Sequence, residues 1–335
     1  MSRRVAVITG GRSSEHEVAL ASSRSVAETL AASGWDVAVI EIDRAGRWSL
    51  GGGRGELTSS DASLALLPDR SIARALADVE VVFPVLHGPH GEDGTVQGLL
   101  ELADVPYVGA GVAASSLCMD KDLFKSVLRD HGIPVTRNVT LRLGDSIENP
   151  FGYPVFVKPA RLGSSVGISK AHDEGELAAA VALAFEHDEK VLVEEFVAGV
   201  EVELGVLGNR QPLASLPGEI VVTHNEWYDY AAKYDDGEME LVVPARIGDE
   251  QIARAQELAV RSFVATECEG MARADLFVRG DGEVLVNELN TIPGFTATSV
   301  YGKLFAASGI GYAELLERLI ELALERHERR RALRF

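Results

Sequence analysis

The sequence predicts a mixed α/β and α+β chain that opens with a doubly wound α/β unit. Three observations carry this. Apolar runs over 5–9, 35–42 and 79–86 alternate with helical patterns, the βαβ…αβα order of a parallel sheet covered on both faces. Strand-like runs over 153–159, 190–195 and 201–207 follow, with one helical pattern over 175–185 among them, as in a smaller α+β module. Near the end, a run reaching Arg279, the turn Gly280-Asp281-Gly282 and a run over 283–289 read as a β-hairpin.

In the first unit, the strand over 5–9 enters Gly10-Gly11-Arg12-Ser13-Ser14-Glu15-His16-Glu17 and then a helix over 18–33. A Gly-rich acidic loop over 51–61 and a helix over 72–77 precede the strand 79–86. The loop His87-Gly88-Pro89-His90-Gly91-Glu92-Asp93-Gly94 leads to a helix over 95–103. Ligands in doubly wound sheets sit at strand C-termini, where Glu15 and His87 lie. A connection over 105–111 and a helix over 115–131 run to a boundary region at Ile133-Pro134-Val135. After residue 207 come an irregular stretch over 217–244, a helix over 249–267, the hairpin, a loop over 290–295 and a final amphipathic helix over 312–332.

With 335 residues, the chain has room for two or three domains and a large core. A net charge of −19 argues against nucleic acid or an anionic membrane as partner. Such a chain binds polyphosphate only by concentrating its few cations. Cys118 and Cys268 belong to no metal or redox motif and read as small buried hydrophobes. The N-terminal apolar run is too short for a secretion signal, and no run is long enough to span a membrane, so the expected location is cytoplasmic.

Several segments could carry chemistry. If Val278 pairs with Glu283 in the hairpin, Asp275 faces Val286 and Arg273 faces Glu288, and Arg273, Asp275, Glu288 and Asn290 share one face. Two carboxylates and an amide oxygen suit a hard cation such as Mg²⁺, and the guanidinium suits an oxyanion. Lys158 ends an apolar strand five residues before Gly163-Ser164-Ser165-Val166-Gly167, whose backbone N–H groups could wrap phosphate oxygens. Lys121 opens a helix, where anions are welcome. Glu194-Glu195-Phe196-Val197 could read an adenine edge, and Glu201 could hold a ribose. The aromatic stretch 227–234, ending in Lys233-Tyr234, has the length of a lid. Neither a dinucleotide fingerprint nor a Walker A sequence occurs, which argues against a nicotinamide dehydrogenase.

Together these residues resemble the D-alanine–D-alanine ligases of the ATP-grasp superfamily. The resemblance rests on GGRSSEHEV at 10–18, HGPHGEDG at 87–94, MDK at 119–121 and KPARLGSSVGI at 158–168. It continues through VEEFVAGVEVE at 193–203, EWYDYAAKY at 226–234, ARADLF at 272–277 and NELNTIPGFT at 287–296. It covers nearly the whole length. It implies a three-domain ATP-grasp fold: an α/β domain over 1–117 with the first D-Ala site, a central domain over 118–200 and a C-terminal domain over 201–335.

The resemblance also implies roles. Lys121 and Lys158 would contact phosphates under the 163–167 loop, including Gly163, Ser165 and Val166. Glu194, Glu195, Phe196 and Val197 would line the adenine site, and Glu201 would bind ribose. Lys233, Asn287 and Glu288 would complete the nucleotide site. Asp275, Glu288 and Asn290 would hold two Mg²⁺ ions, with Mn²⁺ as substitute. Glu15 would take the ammonium of the first D-Ala near His87, with Ser164 and Tyr234 bonded towards it. Arg273 and the Gly294 N–H would stabilise an oxyanion, and Ser299 with Val300 would hold the second carboxylate. The family suggests a homodimer. The alternatives are a D-lactate or D-Ser acceptor on the same fold, or a non-catalytic nucleotide sensor; all four hairpin residues a sensor would be expected to lose in part are present. Ala19 stands where relatives usually have serine, and Ala274 and Leu276 are mild variants behind the metal face.

Overall fold

A computed structural model of the chain describes residues 3–51, 70–222 and 239–334. Among them the strands form three sheets. The first has the order β3-β2-β1-β4, from β1 (Arg4–Gly10), β2 (Asp36–Ile42), β3 (Trp48–Leu50) and β4 (Val81–Pro84). Strands β2, β1 and β4 are parallel, and β3 returns antiparallel. Alternation along β1 sends its side chains to two cores. Val5 and Val7 pack with Val26 and Leu30 of α1 (His16–Ala32) and with Leu315 and Leu319 of the last helix, α9 (Tyr312–Arg331). Ala6 and Ile8 turn the other way, onto α2 (Arg70–Ala77) through Ile72 and Leu76 and onto α3 (Thr95–Leu102) through Val96 and Leu100. Each such Leu or Ile stabilises the fold by about 1.5–3 kcal/mol before entropy is counted. The doubly wound unit is therefore present, with one of its covers shared between α1 and a helix from the far end of the chain.

The second sheet, β5-β8-β6-β7, is antiparallel: β5 (Asn138–Arg142), β6 (Val155–Pro159), β7 (Ser169–Ala171) and β8 (Lys190–Glu195). Helix α6 (Glu174–Phe185) covers it through Leu177, Val181 and Ala184, and starts where the Asp173 carboxylate accepts from the Glu176 N–H at 2.9 Å. The third sheet runs β12-β11-β9-β13-β14, from β9 (Gly199–Gly208), β11 (Gly218–Val222), β12 (Met239–Val242), β13 (Gly270–Arg279) and β14 (Val284–Asn290); the short β10 (Leu213–Ala214) also pairs with β9. Helix α7 (Asp249–Ala265) lies on it through Leu258 and Phe263.

The structure departs from the sequence reading in three places. The single helix expected over 115–131 is two, α4 (Val112–Met119) and α5 (Lys121–Asp130). Asp120 between them is extended and caps α5 by accepting from the Leu123 N–H at 3.1 Å. A capping aspartate competes with helix continuation, and here it wins. The stretch expected to be irregular over 217–244 begins and ends as paired strands, β11 and β12. The hairpin register is also shifted: Val278 opposes Val284, and Leu276, not Asp275, opposes Val286. Cys118 and Cys268 are buried, with Sγ atoms 3.7 Å apart. No helix among the described residues is long and apolar enough to cross a membrane.

Candidate active site

The hairpin has a β-bulge that decides what its polar face contains. Beyond Leu276–Val286 the register shifts, so Asp275 opposes Glu288 and Arg273 opposes Asn290. Asn287 is the extra residue. It moves Glu288 and Asn290 onto the face opposite Val284 and Val286, which stay in the core with Leu289. The four expected residues thus share one face through a bulge the alternation pattern does not reveal.

Strand β9 extends this face. Glu203 opposes Asp275 from the other side, so Glu203, Asp275 and Glu288 stand abreast on three neighbouring strands. Opposed like charges destabilise a sheet unless neutralised. Arg273 does this for two of them: it donates from Nε and a terminal nitrogen to Asp275, both at 2.7 Å, and lies 3.0 Å from Glu203. Lys121 lies 3.4 Å from Glu288, and Asn290 Nδ2 donates to Asp275 at 3.0 Å. This donor set, two carboxylates and an amide oxygen, fits a hard divalent ion that takes its other ligands from phosphates and water. Among the described residues, no group of three or more His, Cys, Asp and Glu is arranged to hold a metal by itself.

The cations converge beside this row. Lys158, near the end of β6, donates to Glu194 at 2.6 Å and to the Asn287 side chain at 3.3 Å. Lys125, fully buried one helical turn after Lys121, bonds the same Glu194 and Thr136. Burial works to raise the Glu194 carboxyl, but Lys125 and Lys158 overcome it and hold it down to about 2. Burial also disfavours the Lys158 charge, yet Glu194 and Glu288 outweigh it and raise the amine. Glu194 is therefore a buried counter-ion, and its side chain does not face an open nucleotide edge. Glu195 is tied to Arg137 at 2.7 Å and Arg279 at 3.1 Å. Phe196 is exposed and Val197 buried just beyond β8.

The loop after β6 reaches the first sheet. Ser164 and Ser165 both adopt positive φ, 52° and 57°, a costly conformation for residues with a Cβ. Ser164 Oγ donates to Glu15, and a Cβ on Gly163 would lie 3.3 Å from the same carboxylate. Lys121 Nζ donates to the Leu162 carbonyl at 2.9 Å, securing the loop's start. Glu15 is buried in the turn leading into α1, where its N–H donates to Ser13 Oγ at 3.2 Å and Ser13 Oγ in turn donates to the His87 carbonyl at 2.7 Å. His87 Nδ1 lies 3.0 Å from the Ile292 carbonyl. Since a carbonyl only accepts, Nδ1 carries the proton and Nε2 presents a lone pair. Burial pushes the imidazole below its ordinary value despite Glu15, so it is neutral at pH 7. Nε2 is buried with no hydrogen-bond partner among the described residues.

Gly294 and Ser299 meet in the loop after β14: a Cβ on Gly294 would lie 3.4 Å from Ser299 Oγ, which accepts from the Thr296 N–H at 2.9 Å. Val300 opens helix α8 (Val300–Ala307), whose N-terminal N–H groups favour a carboxylate. Glu201 lies on β9 two residues from Glu203, on the same face, and contributes to raising Lys158. Lys233 and Tyr234 lie outside the described residues. Sequence reasoning missed Lys125, Glu203 and Glu92. Lys125 is one helical turn from Lys121, and Glu203 two residues from Glu201, so both were within reach of periodicity.

Comparison with known proteins agrees with this geometry. The family model described as D-ala D-ala ligase N-terminus matches residues 4–110, and that described as D-ala D-ala ligase C-terminus matches 127–321. D-alanine--D-alanine ligase A of Salmonella typhimurium is 43% identical, over 99% of this chain and 98% of that protein. The D-alanine--D-alanine ligase of Solibacter usitatus is 47% identical, over 100% and 99%. Among solved structures, the D-alanine-D-alanine ligase from Coxiella burnetii superposes with a TM-score of 0.83 at 36% identity, covering 98% of this chain and 96% of its own. The VanG D-Ala:D-Ser ligase from Enterococcus faecalis gives 0.82 at 37%, covering 96% and 100%.

Proposed function

We infer the reaction from one premise: the chain belongs to the D-alanine–D-alanine ligase family. It is an ATP-dependent ligase that joins two D-alanines into D-alanyl-D-alanine for peptidoglycan precursor synthesis. Its full-length curated relatives are D-alanine–D-alanine ligases, which favours D-alanine over D-Ser or D-lactate as acceptor. The observation that carries the residue assignments is the row Glu203–Asp275–Glu288 with Arg273 set among the acids.

A carboxylate is a poor acyl donor, so a carboxylate oxygen of the first D-alanine attacks the γ-phosphorus of ATP to give an acyl phosphate and ADP. That transfer needs alignment and charge neutralisation more than covalent help. Lys121 and Lys158 contact the phosphates, and the 163–167 loop closes over them with its backbone N–H groups. Lys233 is assigned to the γ-phosphate, Val197 and Phe196 with the Glu194 backbone to adenine, and Glu201 to ribose. Asp275, Glu288 and Asn290 would hold divalent ions, Mg²⁺ with Mn²⁺ as substitute, which would offset the phosphate charge.

Glu15 takes the ammonium of the first D-alanine, and the lone pair of His87 Nε2 is placed to accept a second hydrogen bond. Ser164 ties its loop to Glu15 and, with Tyr234 assigned to the same closure, serves to exclude water, which would hydrolyse the acyl phosphate. The deprotonated amine of the second D-alanine then attacks the acyl carbon. Arg273 and the Gly294 N–H receive the oxyanion until phosphate leaves, each such donor contributing about 3–4 kcal/mol. Ser299 and Val300 hold the second carboxylate. Residues 1–117 carry the first D-alanine site, 118–200 the phosphate-closing loop and 201–335 the metal hairpin and lid. The enzyme is assigned to the cytoplasm, as a homodimer.

The test is ADP release on mixing protein, ATP, Mg²⁺ and D-alanine, with the product weighed by mass spectrometry. D-alanyl-D-alanine in step with ADP is expected; no dipeptide refutes the reading. Competition with D-Ser and D-lactate measures acceptor choice, and sedimentation velocity tests the dimer.

A further inference from the structure

The Ile292 peptide is gripped on both sides by one loop. Its carbonyl accepts from His87 Nδ1 at 3.0 Å, and its N–H donates to Glu92 Oε1 at 3.2 Å. The other oxygen of Glu92 accepts from the Gly88 N–H at 2.8 Å. Gly88 has φ +70, and a Cβ there would lie 3.0 Å from Glu15 Oε2, so the turn that Glu92 holds packs directly against Glu15. Ile292 sits two residues after Asn290 and two before Gly294.

We propose that Glu92 is a positioning residue: by bridging the Gly88 and Ile292 amides, it fixes the loop that carries Asn290 and Gly294 against the loop that holds the first substrate. This deepens the reading above and rests on it. Two amides from segments about 200 residues apart converge on one part-buried carboxyl group, with no cation hydrogen-bonded to it among the described residues. A surface salt bridge or a helix cap would not need that arrangement. Burial and the charge of Glu15 push the Glu92 carboxyl up, with Arg273 opposing. The two amide bonds pull the other way, because both oxygens accept together fully only in the carboxylate, so the bridge favours the ionised form.

The experiment uses the full chain with Glu92→Gln and Glu92→Asp. Glutamine keeps the size but turns an NH₂ donor towards one of the two amides. Aspartate keeps both acceptors but is one methylene too short to span them. Both variants are expected to melt somewhat below the parent, because one amide is left unmet, and to bind a non-hydrolysable ATP analogue as the parent does. Their kcat is expected to fall about tenfold to a hundredfold, the range that follows from one unmade buried hydrogen bond. A misplaced oxyanion loop also captures the acyl phosphate poorly, so ADP should exceed dipeptide. Parent-like kcat and coupling in Glu92→Gln overturn the proposal alone. So does loss of nucleotide binding in both variants, which makes Glu92 a strut of the fold. A parent that forms no dipeptide overturns the functional reading and the proposal with it.

Discussion

Replacing Arg273 with methionine tests whether the guanidinium serves the reaction or only the sheet. The side chain lies among three carboxylates abreast, bonding Asp275 at 2.7 Å and Glu203 at 3.0 Å. Residues directly opposed across antiparallel strands lie about 5 Å apart. Two unit charges at that separation repel by about 3 kcal/mol at an effective dielectric near 20. Removing Arg273 leaves Asp275 between two acids, with Lys121 beside Glu288, so a stability loss of about 3–5 kcal/mol is expected, the usual range for a broken buried pair. Part of that loss should be recovered on adding Mg²⁺, which would stabilise the variant more than the parent. Turnover should fall about 10²- to 10³-fold, the effect of one lost oxyanion donor. The double variant Arg273→Met/Glu203→Leu separates the two roles, because it removes one repelling acid and adds no donor. Thermal melts should show most of the lost stability returning, while ADP-coupled kinetics should show kcat still depressed. A double variant whose kcat returns close to the parent's would refute the reasoning and reduce Arg273 to a counter-ion.

Asp275→Ala should abolish ADP release while nucleotide-free circular dichroism stays that of the parent; near-normal turnover would remove the metal assignment. Lys158→Ala leaves Glu194 paired with Lys125 alone, so the fold should hold while KM for ATP rises about tenfold or more, measured by initial rates against ATP; an unchanged KM would move the phosphate contact elsewhere. The Glu194 carboxyl, held down to about 2 from an ordinary 4.5, stabilises the protein above about pH 4.5, and that contribution is lost as pH falls towards 2. Glu194→Gln should therefore flatten the acid limb of a stability profile, and an unchanged limb would show the triad to be uncoupled from folding.

The fold was legible where one period holds over a whole element. Val5-Ala6-Val7-Ile8 reads as a strand buried on both faces because each parity finds its own apolar cover. What local pattern does not show is who supplies that cover: part of it comes from α9, some 300 residues away, and no strand announces so distant a partner. The helix over 115–131 was overextended for a related reason. No Gly or Pro interrupts the run, but the Asp120 carboxylate is more stable capping the Leu123 N–H than facing solvent in mid-helix. Strands β11 and β12 were passed over because each is short and lies beside a stretch of loop-like composition.

At the site, chemistry was more legible than geometry. Lysines in Gly-rich or apolar settings are conspicuous in an acidic chain, and Lys121 and Lys158 both lie within reach of Glu288 or Glu194. The hairpin shows why the four expected residues share a face despite a wrong register. Alternation without a bulge puts Val284, Val286, Glu288 and Asn290 on one face, which asks a single surface to be both core and metal site. Burying Glu288 among Val284 and Val286 with no partner would cost several kcal/mol. One unpaired residue, Asn287, resolves the conflict by turning the strand over between Val286 and Glu288. Its amide then bonds Lys158, so the residue that breaks the ladder also joins the hairpin to the sheet that carries Lys158. Asn287→Ala should therefore keep the bulge but free Lys158, lowering ATP affinity more than stability. If it instead restores an unbulged ladder, the acid row disperses and turnover disappears, and a crystal structure of the variant distinguishes the two.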